Sequence, residues 1–282
     1  MFAIIGGTGF EQLDGFEVLE KLETETPFGL ASSGLKRVRI NQIECLFVSR
    51  HGEAHELSPS EVNYRANIFV LKKLGASVLI SLSAVGSLKA ELKPGDLVCY
   101  AQAIDRTKGI RKHSFCGEGF VGHVSLADPI CKTAAKILKR LSEQYDFDCH
   151  FEKTLICNEG PYYSTRAEAL QHIQAGADIV GMTQFPEFAL AREAGLHYLP
   201  CCFVTDYDCW DESIRPVTIH EVASMMKVNQ KRALCVLSDF VSLFPVSELD
   251  CKCPELGLRT GIMTAEDKIP KDKQAWLQAL LA

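Results

Sequence analysis

The sequence predicts an α/β fold in three layers, α/β/α, with a mostly parallel mixed sheet at the centre. Three observations carry this. Short apolar runs alternate with stretches of helical period along most of the chain. Each apolar run stops at small, hydroxyl-bearing or charged residues, as buried parallel strands do. The length of 282 residues suits one large α/β core.

Phe2 to Ile5 is the first strand, closed by Gly6-Gly7-Thr8-Gly9. Cys45-Leu46-Phe47-Val48 is the second and stops at Ser49-Arg50-His51-Gly52. A helix is expected from about Ser60 to Leu74, because Val62, Ala66, Phe69, Val70 and Leu74 recur on one face and Gly75 can end it. Val78-Leu79-Ile80 is the third strand and leads to an end at Ser83-Ala84. Pro94-Gly95-Asp96 turns the chain into Leu97-Val98-Cys99. A long loop from about Ile104 to Asp128 follows, rich in Gly, His and basic residues; such loops are usually functional.

Ala134, Ile137, Leu138 and Leu141 mark the next helix. A strand over Thr154 to Cys157 ends at Asn158-Glu159-Gly160-Pro161. A helix over Thr165 to Ala175 precedes Ile179-Val180, which ends at Gly181-Met182-Thr183. Pro186 fits the first turn of a helix that Gly195 stops, and a strand over residues 199–204 follows. Thr218 and Glu221 have capping-box spacing. They open a long helix with Val222, Met225, Ala233, Val236, Leu237 and Phe240 inward.

Net charge is −6 and the pI is near 5.8, which argues against a general nucleic-acid binder. No apolar stretch approaches bilayer length, and the N-terminus lacks a signal-peptide pattern. The expectation is a cytoplasmic protein with neither membrane nor nucleic-acid partners. Cys45, Cys99, Cys157, Cys201, Cys202 and Cys235 lie in apolar runs and read as small buried hydrophobes. No Cys/His group has zinc-finger spacing, so no metal is expected. Cys251-Lys252-Cys253 falls in a polar segment and reads as two exposed thiols on a loop. Trp276, Leu277, Leu280 and Leu281 make an amphipathic stripe expected to dock on the body or on a neighbouring subunit.

The chemistry is expected at Cys201-Cys202-Phe203-Val204-Thr205-Asp206-Tyr207-Asp208-Cys209-Trp210, where an apolar run ends in two carboxylates at i, i+2. In an extended chain both point to one side. Buried carboxylates are costly unless something needs them, and strand exits are where open α/β sheets bind ligands. If the strands are parallel, the other ends converge there too. The glycine turn, Thr8, Arg50, His51, Ser83 and Thr183 suit an oxyanion such as phosphate. Asp206 and Asp208 suit the N–H or amino groups of a heterocycle. Each piece alone has a plain structural reading, as a tight turn, a solvated pair or a loop cap. The glycine turn also lacks dinucleotide-fingerprint spacing.

Ile4-Ile5-Gly6-Gly7-Thr8-Gly9, Ser49-Arg50-His51-Gly52, Val62-Asn63-Tyr64-Arg65-Ala66-Asn67, Pro94-Gly95-Asp96, Glu159-Gly160-Pro161, Gly181-Met182-Thr183 and Thr205-Asp206-Tyr207-Asp208-Cys209-Trp210 occur in order. Together they resemble the 5′-methylthioadenosine phosphorylases of the trimeric purine nucleoside phosphorylase family. The resemblance runs over about residues 2–245. It implies a nucleoside phosphorylase catalytic domain over 1–245 and a C-terminal tail over 246–282, with the Cys-x-Cys and a short helix. It implies a phosphate site of Thr8, Arg50, His51, Ser83, the Ala84 backbone and Thr183. Met182 would lie under the ribose, and Tyr163 and Ser164 would line the purine pocket. Asp206 would face purine N7, with Asp208 supporting recognition of the 6-amino group. Ile219, Val222 and Ala223 would flank the 5′-substituent, and His123 of a neighbouring subunit would close that pocket.

The implied reaction is phosphorolysis of an N-glycosidic bond, with phosphate as co-substrate and no cofactor, in a homotrimer or alternatively a hexamer. Three positions depart from the family pattern. Ser83 stands where threonine is common and keeps the hydroxyl; Tyr162 stands where arginine is frequent; and Ala223 replaces a larger aliphatic residue, implying a roomier 5′ pocket. Some relatives carry a similar Cys-x-Cys tail that can be oxidised, so a redox role is the alternative reading of Cys251 and Cys253. The competing functions are a 6-oxopurine nucleoside phosphorylase, a nucleosidase that uses water, and a nucleoside-binding protein without catalysis. Paired carboxylates favour a 6-aminopurine, since a 6-oxopurine needs a donor at the same place.

Overall fold

The apolar run at the N-terminus, Phe2–Gly6, is buried throughout and forms the middle of a large sheet. The computed structural model describes residues 1–10, 15–213, 217–243 and 251–282. Its strands are β1 Phe2–Gly6, β2 Glu17–Lys21, β3 Glu25–Thr26, β4 Gly29–Leu30, β5 Lys36–Ile40, β6 Ile43–Ser49, β7 Val78–Ser87, β8 Leu97–Arg106, β9 Cys149–Asn158, β10 Ile179–Gly181 and β11 His197–Asp206. Its helices are α1 Tyr64–Lys73, α2 Lys132–Leu141, α3 Arg166–Gln174, α4 Gln184–Glu193, α5 Ile219–Leu243, α6 Leu258–Gly261 and α7 Lys271–Leu281. The main sheet runs β10-β9-β8-β11-β7-β1-β6-β5-β2. The fold class is the expected one: a mixed sheet with a parallel centre, against which α4 and α5 pack at β11.

Register places the ligand-facing ends together. β1 pairs in parallel with β6, Gly6 opposite Ser49, so Gly7 and Arg50 leave the sheet side by side. β11 pairs in parallel with β7 and brings Asp206 opposite Gly86 across a register shift after Val204. Ser83-Ala84 is not a strand end: β7 continues through it to Ser87, where β10 adds antiparallel with Ile179 opposite Ser87. Because β10 also pairs with β9, the path β7-β11-β8-β9-β10 closes on itself. Gly181-Met182-Thr183 therefore reaches the site from a strand antiparallel to β7 and parallel to β9.

Local chemistry explains where helices begin. α1 starts later than the apolar stripe suggests. The Ser58 N–H and hydroxyl both donate to Glu61, which holds a turn, and Asn63 then caps the helix by accepting the Ala66 N–H at 3.2 Å. α3 has a full capping box between Thr165 and Glu168. Thr218 and Glu221 cap α5 as expected. On α5, Met226 rather than Met225 turns inward, joining Asn229, Ala233, Val236, Leu237 and Phe240 at helical spacing. Cys235 falls off that face and is exposed, contrary to its reading as a core residue.

The expected loop over Ile104 to Asp128 begins later, because β8 extends to Arg106. The tail helix α7 docks on the chain's own body: the Trp276 ring meets Phe28 at 4.9 Å and Phe120 at 5.8 Å. The boundary expected between residues 245 and 246 lies outside the described residues. No described helix is long and apolar enough to cross a membrane.

Candidate active site

Strand ends and the first turns of α5 enclose a cavity of about 870 Å³, within the size range of small-molecule sites. Thr8, Arg50, His51, Ala84, Tyr163, Ser164, Met182, Thr183, Asp206, Asp208, Ile219, Val222 and Ala223 all line it.

One side is built around Arg50. Its side chain is fully buried behind the glycine turn. Nε donates to Glu187 Oε2 at 2.7 Å, and Nη2 donates to Glu187 Oε1 at 3.0 Å and to Ser81 Oγ at 2.8 Å. Nη1 donates to the Leu82 carbonyl at 3.0 Å. Burial alone would lower the Arg50 pKa, but the Glu187 carboxylate outweighs it and holds the guanidinium charged. Gly7 is required for this approach, since a Cβ there would lie 2.3 Å from Nη1. Gly9, at φ +79°, backs onto Met226 in the same way, and the Gln230 amide donates to its carbonyl.

Ser83 is not in the cavity wall. It is buried, on the same face of β7 as Ser81 and hence as Arg50, and its hydroxyl has no hydrogen-bond partner. His51 Nδ1 donates to the Leu57 carbonyl at 2.8 Å, and the ring stacks on His55. Nδ1–H is thereby committed, so His51 can donate into the cavity through Nε2 only as an imidazolium.

The opposite side is acidic. The chain is not extended beyond β11: Asp208 turns into the left-handed region at φ +50°. Asp206 causes this by accepting the Asp208 N–H on Oδ1 at 2.8 Å, and Asp206 Oδ2 takes the Thr205 hydroxyl at 2.7 Å. The two carboxyls thus share the cavity through a local turn rather than through strand alternation. Burial pushes the Asp206 carboxyl up, with help from Glu221, against those two donors. Burial first, and then the Asp206 charge, push Asp208 up to about 6 against a hydrogen bond from Ser164. Asp208 Oδ2 is buried without a partner. The loop is pinned by Trp210 Nε1 donating to the Ser87 carbonyl and Cys209 Sγ donating to the Ser164 carbonyl, both at 3.1 Å.

Residues 1–242 match the sequence model of the phosphorylase superfamily. The chain belongs to the phosphorylase superfamily. It is 37% identical to the S-methyl-5′-thioadenosine phosphorylase of Geobacter sulfurreducens, over 100% of this chain and 98% of that one. It is 45% identical to the enzyme of the same name from Thermofilum pendens, over 89% and 94%. A crystal structure of a methylthioadenosine phosphorylase from an antarctic soil metagenomic library superposes with a TM-score of 0.91 at 40% identity, covering 100% and 98%. The methylthioadenosine phosphorylase of Schistosoma mansoni in complex with adenine gives 0.87 at 32%, covering 93% and 98%. The resemblance carried by the sequence motifs is borne out.

Two residues singled out by the resemblance do not line this chain's own cavity, His123 having been expected at a neighbouring subunit's site and Tyr162 as a departure from the family pattern. His123 is exposed outside the cavity, its N–H donating to the Gly261 carbonyl. Tyr162 is 66% exposed and also outside, its hydroxyl accepting from Lys108 Nζ.

Sequence reasoning missed Glu187 and Arg111. Glu187 left a signal: a lone carboxylate in the apolar stretch Phe185-Pro186-Glu187-Phe188-Ala189-Leu190 implies a buried cation. Arg111 left none, being one of several cations in the long loop. It is 4% exposed, pairs with Glu159 through Nε at 2.9 Å, and donates to the carbonyls of Met182 at 2.7 Å, Phe185 at 2.6 Å and Glu159 at 2.7 Å. It thereby ties the ends of β9 and β10 together beneath Met182. Glu159 also accepts from Ser60.

Proposed function

We propose that this chain cleaves the N-glycosidic bond of 5′-methylthioadenosine with phosphate, releasing adenine and 5-methylthioribose 1-phosphate. The observation that carries the reading is the pair of carboxyls, half-buried Asp206 and buried Asp208, lining the same cavity as Arg50. The Schistosoma mansoni neighbours, solved with adenine, methylthioadenosine or tubercidin, support the 6-aminopurine choice.

Phosphate is held under the sugar by Thr8, Arg50, His51, the Ala84 backbone and Thr183, with Ser83 behind the wall. There its charge meets the cation that develops at C1′ as the bond breaks. Arg50 commits four of its five N–H donors to Glu187, Ser81 and Leu82, so its main part is to fix the turn and supply positive potential. Direct donors come from Thr8 and Thr183, which line the cavity. Phosphate is a co-substrate, and the chemistry needs no cofactor.

The purine must not depart as a bare anion, and Asp206 protonates N7. The two carboxyls titrate as a coupled pair. Before substrate binds, burial raises both carboxyls, Asp208 to about 6. The 6-amino group donates to the free Asp208 Oδ2, which favours the Asp208 carboxylate and leaves the proton to Asp206. Tyr163 and Ser164 flank the base, Met182 lies under the ribose, and Ile219, Val222 and Ala223 border the 5′-methylthio group. The small Ala223 leaves space for adenosine as well. His123 serves the site of a neighbouring copy in a homotrimer, and the catalytic domain ends near residue 245. A cytoplasmic location fits this metabolic role.

The test is free adenine release from methylthioadenosine with and without phosphate. Release that requires phosphate supports the reading; equal release without it makes the protein a nucleosidase. Binding without turnover, or a higher kcat/KM for methylthioinosine, overturns it as well.

A further inference from the structure

Away from the cavity, four side chains from three separate parts of the chain converge. Cys131 is the N-cap of α2, His197 is the first residue of β11, and Cys251 and Cys253 open the C-terminal tail. Their ligand atoms all lie within 4.8 Å of one another. Cys251 Sγ is 3.0 Å from His197 Nδ1, 3.3 Å from Cys253 Sγ and 3.5 Å from Cys131 Sγ, and Cys131 Sγ is 3.6 Å from His197 Nδ1. Cys131, His197 and Cys253 are buried, and Cys251 is half-buried. The tail thiols are therefore not a pair of exposed groups on a loop.

We propose that Cys131, His197, Cys251 and Cys253 bind one zinc ion that latches the tail to the catalytic body. Three sulfurs and one imidazole nitrogen, with no carboxylate, form a Cys₃His set of the kind structural zinc uses. A tetrahedral zinc with Zn–S near 2.3 Å and Zn–N near 2.0 Å has edges of about 3.7 Å between sulfurs and about 3.5 Å from sulfur to nitrogen. The observed separations lie close to those edges, so the ion fits with shifts of a few tenths of an ångström. Thiols are weak donors, and hydrogen bonding alone returns little for collecting three of them around an imidazole in the interior.

Two of the sulfurs accept backbone N–H groups. The Ala134 N–H at the start of α2 points at Cys131 Sγ at 3.4 Å, and the Cys253 N–H points at the Cys251 sulfur. Zinc binding displaces the three thiol protons to solvent, leaving three thiolates and one neutral imidazole on the ion. All four positions are then filled by protein, so the site is structural. It sits at the N-terminal end of β11, a strand length of about 30 Å from Asp206 at the other end. No zinc-finger spacing announces it, because the ligands are contributed across 120 residues between Cys131 and Cys251. That is why the sequence led to an expectation of no metal.

The full-length chain, purified untagged with reductant and without chelator, should carry about one zinc per chain by elemental mass spectrometry. Cys131→Ser combined with Cys253→Ser should lower this at least tenfold, while Cys235→Ser, at an exposed thiol, should leave it unchanged. Removing zinc with a chelator should lower Tm, and zinc alone should restore it. The proposal fails if the reduced wild-type chain takes up no zinc in competition with a chromophoric chelator. It also fails if the double variant holds as much zinc as the parent, or if metal-free protein proves to carry a Cys251–Cys253 disulfide after purification under reductant.

Discussion

Arg50 and Glu187, 137 residues apart in the chain, meet in a two-pronged ion pair at 2.7 and 3.0 Å, with both side chains essentially closed to solvent. The pair joins the end of β6 to α4 and holds the guanidinium behind the glycine turn. Removing one partner strands a buried charge, which costs about 3–5 kcal/mol. Glu187→Ala should lower stability by about that much in urea unfolding and raise the KM for phosphate more than that for nucleoside. An unchanged phosphate KM in folded Glu187→Ala would detach Arg50 from the anion site.

Asp206→Asn keeps the shape of the turn but cannot supply a carboxylic proton. Turnover of methylthioadenosine should fall by roughly 10²–10⁴-fold with the fold intact. Circular dichroism and single-turnover kinetics separate the two, and near-normal turnover rules out Asp206 as the acid.

Asp208 makes stability depend on pH. Its carboxyl is pushed from 3.8 to about 6 in the folded chain, so the folded state binds the proton more tightly than the unfolded one. The stabilisation is complete below the unfolded value and is lost as pH rises through about 6. Asp208→Asn removes the titration. Between about pH 5 and pH 7.5 the wild type should lose roughly 1 kcal/mol more stability than the variant, by urea unfolding at each pH. The same variant should shift preference from methylthioadenosine towards methylthioinosine, because an amide can donate to a 6-oxo group.

Arg111 acts by positioning. With its donors spent on Glu159, Met182 and Phe185, Arg111→Met leaves three carbonyls and a carboxylate short of partners. Stability should fall by about 3 kcal/mol, and nucleoside KM should rise as Met182 loses its support. Arg111→Lys cannot reproduce the fork and should recover little of either.

Trp276→Ala tests the docking of α7. The ring packs among Phe28, Phe69, Phe115 and Phe120, so truncation should cost about 3 kcal/mol. Limited proteolysis should then cut the tail first; uniform cleavage along the chain would argue against an independently releasable latch.

Much of the fold is legible from residue patterns because its signals are local. Period-two and period-3.6 apolar spacing, the glycine turn after Phe2–Gly6 and the Thr165 and Thr218 caps each act within a few residues. The expectation that Asp206 and Asp208 face one ligand also came from adjacent positions. Its geometry was misjudged, because an Asx turn rather than an extended strand brings them together.

By itself, the sequence determined the fold class, the alternation of core strands and helices from residue 45 on, and the residue types offered to an anion and to a heterocycle, while β2 to β5 left no signal that was read. The tertiary structure alone decided which groups share a space. It closed the sheet through β10 and β7, set Glu187 against Arg50, placed Arg111 under Met182, and gathered Cys131, His197, Cys251 and Cys253. Those pairings depend on chain crossovers and on the low-dielectric interior that makes partners obligatory, and neither leaves a period in the sequence.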